Sequence, residues 1–227
     1  MMKRRVSFRS PFSTAVLAAF FLLCTLSCSV RHDVALDSNG GGTAEVRLTL
    51  KPVLVRYFSD LLEFSGEDDS DSIFSESAIR QAFRGEPELE LLDLEILSKG
   101  DLRLEVAFDD IEQAFFRQIG TGIDPVVDLT RSGGAWKANL YLDNENYRKL
   151  TRRAMVLTGM VVFEDYLAGL LEPGPEEVII DMYEYAFEDY IRGESVEKLL
   201  IDSAITTDFS APAEILGHRG GRVSGNT

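Results

Sequence analysis

The chain has 227 residues, 45% of them apolar, with 23 Lys+Arg against 38 Asp+Glu, two His and two Cys. That is ample apolar sequence for a packed core in one domain or two small ones, and too much for a disordered acidic tail. Four basic residues (Lys3, Arg4, Arg5 and Arg9) and no acid fall in the first 27 positions, so residues 28–227 hold 19 basic against 38 acidic side chains, about −19, a balance that excludes a nucleic-acid footprint and a polybasic membrane-surface protein.

Residues 1–28 fall into three parts. Met1–Ser13 is basic, Ala15–Leu23 is a continuous apolar run, and Cys24-Thr-Leu-Ser-Cys28 follows. This is the order of a secretory signal peptide. The apolar stretch Thr14–Leu26 is 13 residues long, short of the ~20 a spanning helix needs, so an uncleaved transmembrane anchor is the weaker reading.

Thr25-Leu-Ser-Cys28 resembles the lipobox of bacterial lipoproteins, in which a small residue precedes the modified Cys; Thr25 stands where that motif usually has Leu. The resemblance implies a diacylglycerol, with acyl chains such as palmitate, on the Cys28 thiol and cleavage between Ser27 and Cys28. The alternative is a Cys beside an ordinary cleavage site. Leu23 is too bulky for Cys24 to take the role. With Cys24 removed and Cys28 acylated, the exported body keeps no thiol and no disulfide, which a fold of 200 residues can do without. Several acyl chains on one residue suffice for stable anchoring. The expected organisation is a signal peptide over 1–27, a short tether over 28–32 that brings Arg31 and His32 near lipid phosphate or leaves them solvated, and one α+β domain over 33–227.

Asp33–Asp37 alternates, with Val34 and Leu36 on one face. Ser38-Asn-Gly-Gly-Gly-Thr43 suits a turn, and Ala44–Lys51 alternates strictly, with Val46, Leu48 and Leu50 inward. Together these predict a half-buried β-hairpin. The glycine run lacks the helix and Lys-Ser/Thr pair of a phosphate cradle. Pro52 suits the first turn of a helix; Leu54, Tyr57, Phe58, Leu61 and Leu62 carry it to about Phe64. The acidic stretch Ser65–Ser72 lacks the spaced ligands of an EF-hand and reads as a solvated loop. A short helix is expected over Ile73–Phe83.

Leu92, Leu94 and Ile96, a Ser98–Asp101 turn, then Leu102, Leu104, Val106 and Phe108 predict a second hairpin. A short helix after Asp109 follows. A third hairpin joins Val126–Leu129 to Trp136, Ala138, Leu140 and Leu142. Residues 144–172 have a long helical pattern, apolar nearly all round over Ala154–Phe163, and read as a buried helix. Glu172-Pro-Gly-Pro175 ends it. Glu176–Ile191 is a second helix, with Val178, Ile179, Met182, Tyr185, Ala186 and Tyr190 inward and its acids on a solvated outer face. The two form a helical hairpin around 144–191. Ile201, Ser203, Ile205, Thr207 and Phe209 then alternate as a strand. No internal repeat is present. The fold class is α+β: antiparallel hairpins forming a sheet packed against helices.

The opening, Asp33–Leu50, resembles the first hairpin of the LppM-type lipoprotein domain. The closing, Ser210-Ala-Pro-Ala-Glu-Ile-Leu216 with Gly220-Gly-Arg-Val-Ser-Gly-Asn-Thr227, is similar to that domain's late Pro/Gly-rich hairpin. The family implies a membrane-anchored α+β domain outside the cytoplasmic membrane, with lipid or glycolipid binding suggested and no catalytic residues to carry over. Its pattern continues into a further strand after Gly-Asn-Thr, so truncation at Thr227, leaving an unpaired edge near Ile205–Phe209, is the expectation.

Function follows the same lines. His32 and His218 are the only histidines, both beside turns or termini, and neither a Gly-x-Ser-x-Gly elbow nor a His-Glu-x-x-His helix occurs. The expectation is a membrane-anchored envelope lipoprotein, not an enzyme, without cofactor or metal, binding lipid, glycolipid or a partner protein and no nucleic acid. It would sit on the periplasmic or outer surface of a bacterial membrane. The alternatives are a purely structural envelope component and a carboxylate-dependent hydrolase. A large apolar cavity between residues 144–191 and the sheet would favour a ligand; a filled core would favour protein contacts.

Overall fold

A computed structural model describes residues 28–66, 71–111, 127–132, 135–140, 154–160, 163, 175–193, 195–218 and 221–224. The first hairpin forms as β1 (Cys28–Leu36) and β2 (Gly42–Leu50), antiparallel, with Val34 opposite Ala44 and Asp33 opposite Glu45. β1 opens at Cys28, not at Asp33. The expected tether over 28–32 is therefore strand, because Ser29–His32 pair with Val46–Thr49 on one side and Ala204–Thr207 on the other.

Helix α1 (Pro52–Ser65) follows directly, with proline in its first turn, where the missing N–H costs nothing. Helix α2 (Glu76–Arg84) starts later than its apolar pattern, since Ser75 caps it by accepting from the Ala78 amide and Ile73 and Phe74 lie buried before it. The second hairpin is β3 (Glu90–Ser98) and β4 (Asp101–Phe108). Here strict alternation fails. The pairing slips between Leu91 and Asp93 and again between Ile96 and Ser98. Bulges of this kind switch a side chain to the other face: Leu91 joins the core in place of Leu92, and Leu92 and Leu97 are left exposed.

The third hairpin forms a separate two-stranded sheet, β5 (Val127–Ser132) and β6 (Ala135–Leu140). The short helix expected after Asp109 lies, beyond Ile111, outside the described residues, as does most of the 144–172 helix. In the described part, helix extends only over Ala154–Leu157. Gly159 then takes a left-handed φ of 71°, its amide bonds Val156 O at 3.1 Å, and the Met160 amide bonds Met155 O at 2.7 Å. That pair of bonds is a Schellman stop, so the apolar run Ala154–Phe163 is not one buried helix.

Helix α3 (Glu176–Phe187) forms as expected, with Glu177, Asp181 and Glu184 exposed, but its inward stripe is Ile179, Tyr183 and Phe187. Val178 and Tyr185, placed inward from the sequence, are exposed. Residues 201–203 are not strand: Val196–Ile201 is a short helix, α4, and β7 spans Ala204–Ser210.

The main sheet has the order β3-β4-β2-β1-β7, antiparallel except for the parallel β1–β7 pair. Its inner face (Val34, Ala44, Leu102, Leu104, Val106) packs with Phe58 and Leu62 of α1, Ile79 and Phe83 of α2, and Met155 and Phe163. Phe58 and Phe163 meet at 4.3 Å between ring centroids. The opposite side of α1 packs against α3 and α4 through Val53, Tyr57, Tyr183, Phe187 and Val196, with Tyr57 edge-on to both Phe187 and Tyr190. The molecule is thus an α+β fold, with α1 between the sheet and a second helical layer. No strand forms in residues 211–218 or 221–224, so the late hairpin expected after Ser210 is absent from the described residues.

Candidate anchoring end and charged sheet face

The candidate modification site is placed by backbone pairing. Cys28 sits opposite Leu50 at the first position of β1. Ser27 lies outside the described residues. Strand direction gathers several segments at this end of the sheet. The β3–β4 turn joins it through Leu50 N–Gly100 O at 2.8 Å and Ile73 N–Lys99 O at 2.9 Å. The start of α1 meets α4 through Lys51 Nζ, which donates to Leu199 O at 3.1 Å. Ser203, at the foot of β7, donates from its hydroxyl to the same carbonyl at 2.8 Å.

Arg31 and His32, expected in a tether near lipid phosphate or solvated, lie within strand β1. Alternation along β1 sends them to opposite faces of the sheet. Arg31 reaches the outer face, where Nε donates to Asp33 at 2.8 Å and Nη2 to Asp208 at 2.8 Å. The Arg31 hydrogen bond holds the Asp33 carboxyl below the usual carboxylate range. His32 turns to the core side, its Nδ1 lying 3.3 Å from Thr207 Oγ1. Burial lowers its pKa from the ordinary 6.5, against the opposing pull of Asp33.

The outer face of the sheet carries a cross-strand ion-pair ladder that residue-by-residue motif reading missed. Arg103, in the middle of β4, donates from Nε to Glu45 at 2.9 Å and from Nη1 to Asp93 at 2.9 Å and Glu95 at 3.0 Å, and its Nη2 lies 3.7 Å from Glu105. Arg47 donates to the other Glu45 oxygen at 2.6 Å. The Glu45 carboxyl is accordingly held down in pKa, first by Arg47 and then by Arg103. The signal was present in the polar positions of each alternating strand; which strands lie side by side was not.

At the β1–β7 edge of this face, an open depression of about 430 Å³ is lined by Arg31, Asp33, Ala35, Asp208, Ser210 and Ser224. Among the described residues no group of three or more His, Cys, Asp or Glu is arranged to hold a metal ion, and no helix is long and apolar enough to cross a membrane. No protein family, curated protein or solved structure matches the chain.

Proposed function

We propose that this is an exported lipoprotein held on a bacterial membrane through acylated Cys28, with a non-catalytic α+β domain that engages a partner protein, lipid or glycolipid at its surface. The observation that carries the anchoring is the Thr25-Leu-Ser-Cys28 sequence directly after an apolar run. The basic and apolar order of residues 1–27 supplies the export signal.

The side-chain chemistry supports the non-catalytic part. His32 is committed to the core side of the sheet against Thr207. The clustered carboxylates Glu45, Asp93, Glu95 and Asp208 are each paired with arginine, and the pairing holds the Glu45 carboxyl below its ordinary pKa, against a role as general acid. The space between sheet and α1 is filled by Phe58, Phe163, Leu102 and their neighbours, which favours surface contacts over an internal ligand. The LppM-type resemblance of residues 33–50 falls on β1 and β2 and adds lipid or glycolipid to the candidate ligands.

Palmitate labelling of the full chain in a lipoprotein-processing bacterial host, beside Cys28→Ala, tests the anchoring. Label on the parent and none on the variant is expected; equal label on both, or none on either, removes the proposal. Native mass spectrometry of residues 28–227 purified without detergent then shows whether a lipid travels with the domain.

A further inference from the structure

The two edges of the main sheet are built differently. β3 is interrupted by two bulges and carries Glu90, Asp93 and Glu95, devices that keep a free edge from pairing. β7 has no bulge. It pairs with β1 over Ala204–Ser210 without a slip, holds neither lysine nor proline, and has Asp208 as its one charged residue. Thr206 and Thr207, in its middle, are exposed. Among the described residues β7 pairs with β1 alone, so over Ala204–Phe209 its second side offers backbone N–H and C=O groups to a further strand.

Register across the outer face sets what that strand must carry. Asp93, Glu105, Glu45, Asp33 and Asp208 stand opposite one another, one carboxylate on each successive strand, and the last is at the β7 edge. The neighbouring row is Glu95, Arg103, Arg47, Arg31 and Thr206, so the arginines stop one strand short of that edge. Together the strands of the main sheet hold three arginines, no lysine and eight carboxylates. Arg31 is shared at the edge, with two bonds to Asp33 at 2.8 and 2.9 Å and one to Asp208 at 2.8 Å. Like charges opposite one another on adjacent strands are unfavourable and opposite charges favourable. A side chain beside Asp208 on a sixth strand therefore extends the carboxylate row if acidic and closes it if basic. The open depression of about 430 Å³ leaves room for it, between Asp33, Asp208 and Ser224. The tail reaches that depression at Ser224 without pairing with β7, and its Arg222 is exposed.

We infer that β7 takes an extended segment of a partner protein as a sixth strand of the main sheet, with a lysine or arginine of that segment lying in the depression against Asp208. The inference rests on the reading of the domain as one that engages a partner protein at its surface; it does not need an acylated Cys28. Backbone bonds to β7 supply the affinity and the alternate side chains the specificity. Those on the outer face meet the carboxylate row, and those on the inner face lie beside the half-buried Ile205 and Phe209, so the segment alternates apolar residues with a basic one. A second copy of this chain does not fit: its β7 brings no base, and its β3 brings two bulges and three more carboxylates.

The test uses the full chain, exported and purified in a neutral detergent, and the peptide Val-Thr-Ile-Lys-Ile-Thr-Val-amide with an N-terminal dye. Fluorescence anisotropy is expected to show saturable binding, several-fold tighter than for the same peptide with glutamate in place of its lysine. N-methylation of alternate peptide amides leaves every side chain in place. It should abolish binding in one of its two phases and spare it in the other, because an added strand pairs along one side. Asp208→Asn, with circular dichroism matching the parent, should bring the lysine and glutamate peptides close to equal affinity. Equal affinity of the two peptides for the parent, or binding that neither methylation phase disturbs, overturns the strand addition and leaves a surface partner in place. A chain that sediments as a dimer and takes no peptide overturns it in favour of a second copy. A monomer that takes no peptide, with a lipid travelling with it in native mass spectrometry, overturns the partner-protein reading and this inference together; without that lipid it overturns this inference alone.

Discussion

Arg103 Nε donates to Glu45 Oε2 at 2.9 Å across the β2–β4 pair, while Arg47 holds Oε1 of the same carboxylate at 2.6 Å. One carboxylate thus bridges two strands' cations, and one guanidinium collects carboxylates from three strands. Isolated surface pairs contribute little; here the pairs form a network.

Replacing Arg103 with Met keeps the stem that covers the sheet and removes the cation. Glu45, Asp93, Glu95 and Glu105 are then left as like charges on adjacent strands. The expected outcome is a lower Tm at low salt, with the deficit shrinking in about 1 M salt, where the screening length falls to about 3 Å. Thermal unfolding followed by circular dichroism at the two salt concentrations checks it; a deficit independent of salt would assign the loss to packing.

The same ladder sets an acid limb. Glu45 and Asp33 have folded pKa values held below their ordinary 4.5 and 3.8, so the unfolded chain binds protons first as pH falls. Their contribution is present above those ordinary values and is lost as pH drops through them toward the lower folded ones. Urea midpoints measured from pH 6 to pH 3 should decline for the parent. The decline should be shallower in a Glu45→Gln variant.

His32 acts in a higher window. Its folded pKa lies below the ordinary 6.5 because burial disfavours the imidazolium, so the unfolded chain takes up the proton first. Stability is full above about pH 7 and falls as pH drops below 6.5, levelling off once the folded ring also protonates. His32→Gln, which keeps a polar atom for Thr207, should flatten that part of the profile. A His32 resonance titrating at or above 6.5 in the folded protein would contradict this.

Gly42, at the start of β2, cannot take a side chain. A Cβ there would lie 2.0 Å from the Ala35 carbonyl oxygen, deep inside van der Waals contact and against backbone that has no room to move. Gly42→Ala is expected to destabilise the fold by roughly 2–3 kcal/mol. Chemical denaturation gives the value, and a change below about 0.5 kcal/mol would mean that the first turn rearranges freely.

Phe58 is 1% exposed between the sheet and the second helical layer, its ring tilted against that of Phe163. Phe58→Ala should cost about 3–5 kcal/mol, and Phe58→Leu clearly less, read from urea midpoints at unchanged m-value.

The sequence by itself determined the local elements. Alternation over 33–50 and 102–108 is unambiguous because one face of each strand is wet, and Pro52 with the Leu54–Leu62 stripe leaves only a helix. It also determined the order of basic, apolar and cysteine residues from which export and anchoring are proposed. Where the pattern had a competing solution, tertiary contacts chose. Leu91 rather than Leu92 turned inward because a bulge moved the register, and no local preference separates two adjacent leucines. Tyr183 and Tyr185 compete in the same way; Tyr183 is buried because α1 presents Tyr57 and Val53 on that side. Gly159 ended an apolar run that periodicity alone would continue, its left-handed backbone packed against Ser75 and Ala78 of another segment. The parallel docking of β7 on β1, and with it the meeting of Arg31 with Asp208, joins residues 177 positions apart. The Lys51 bond to Leu199 O likewise joins segments 148 positions apart. Strand order is set by closure of the whole core, and that free energy belongs to no single segment.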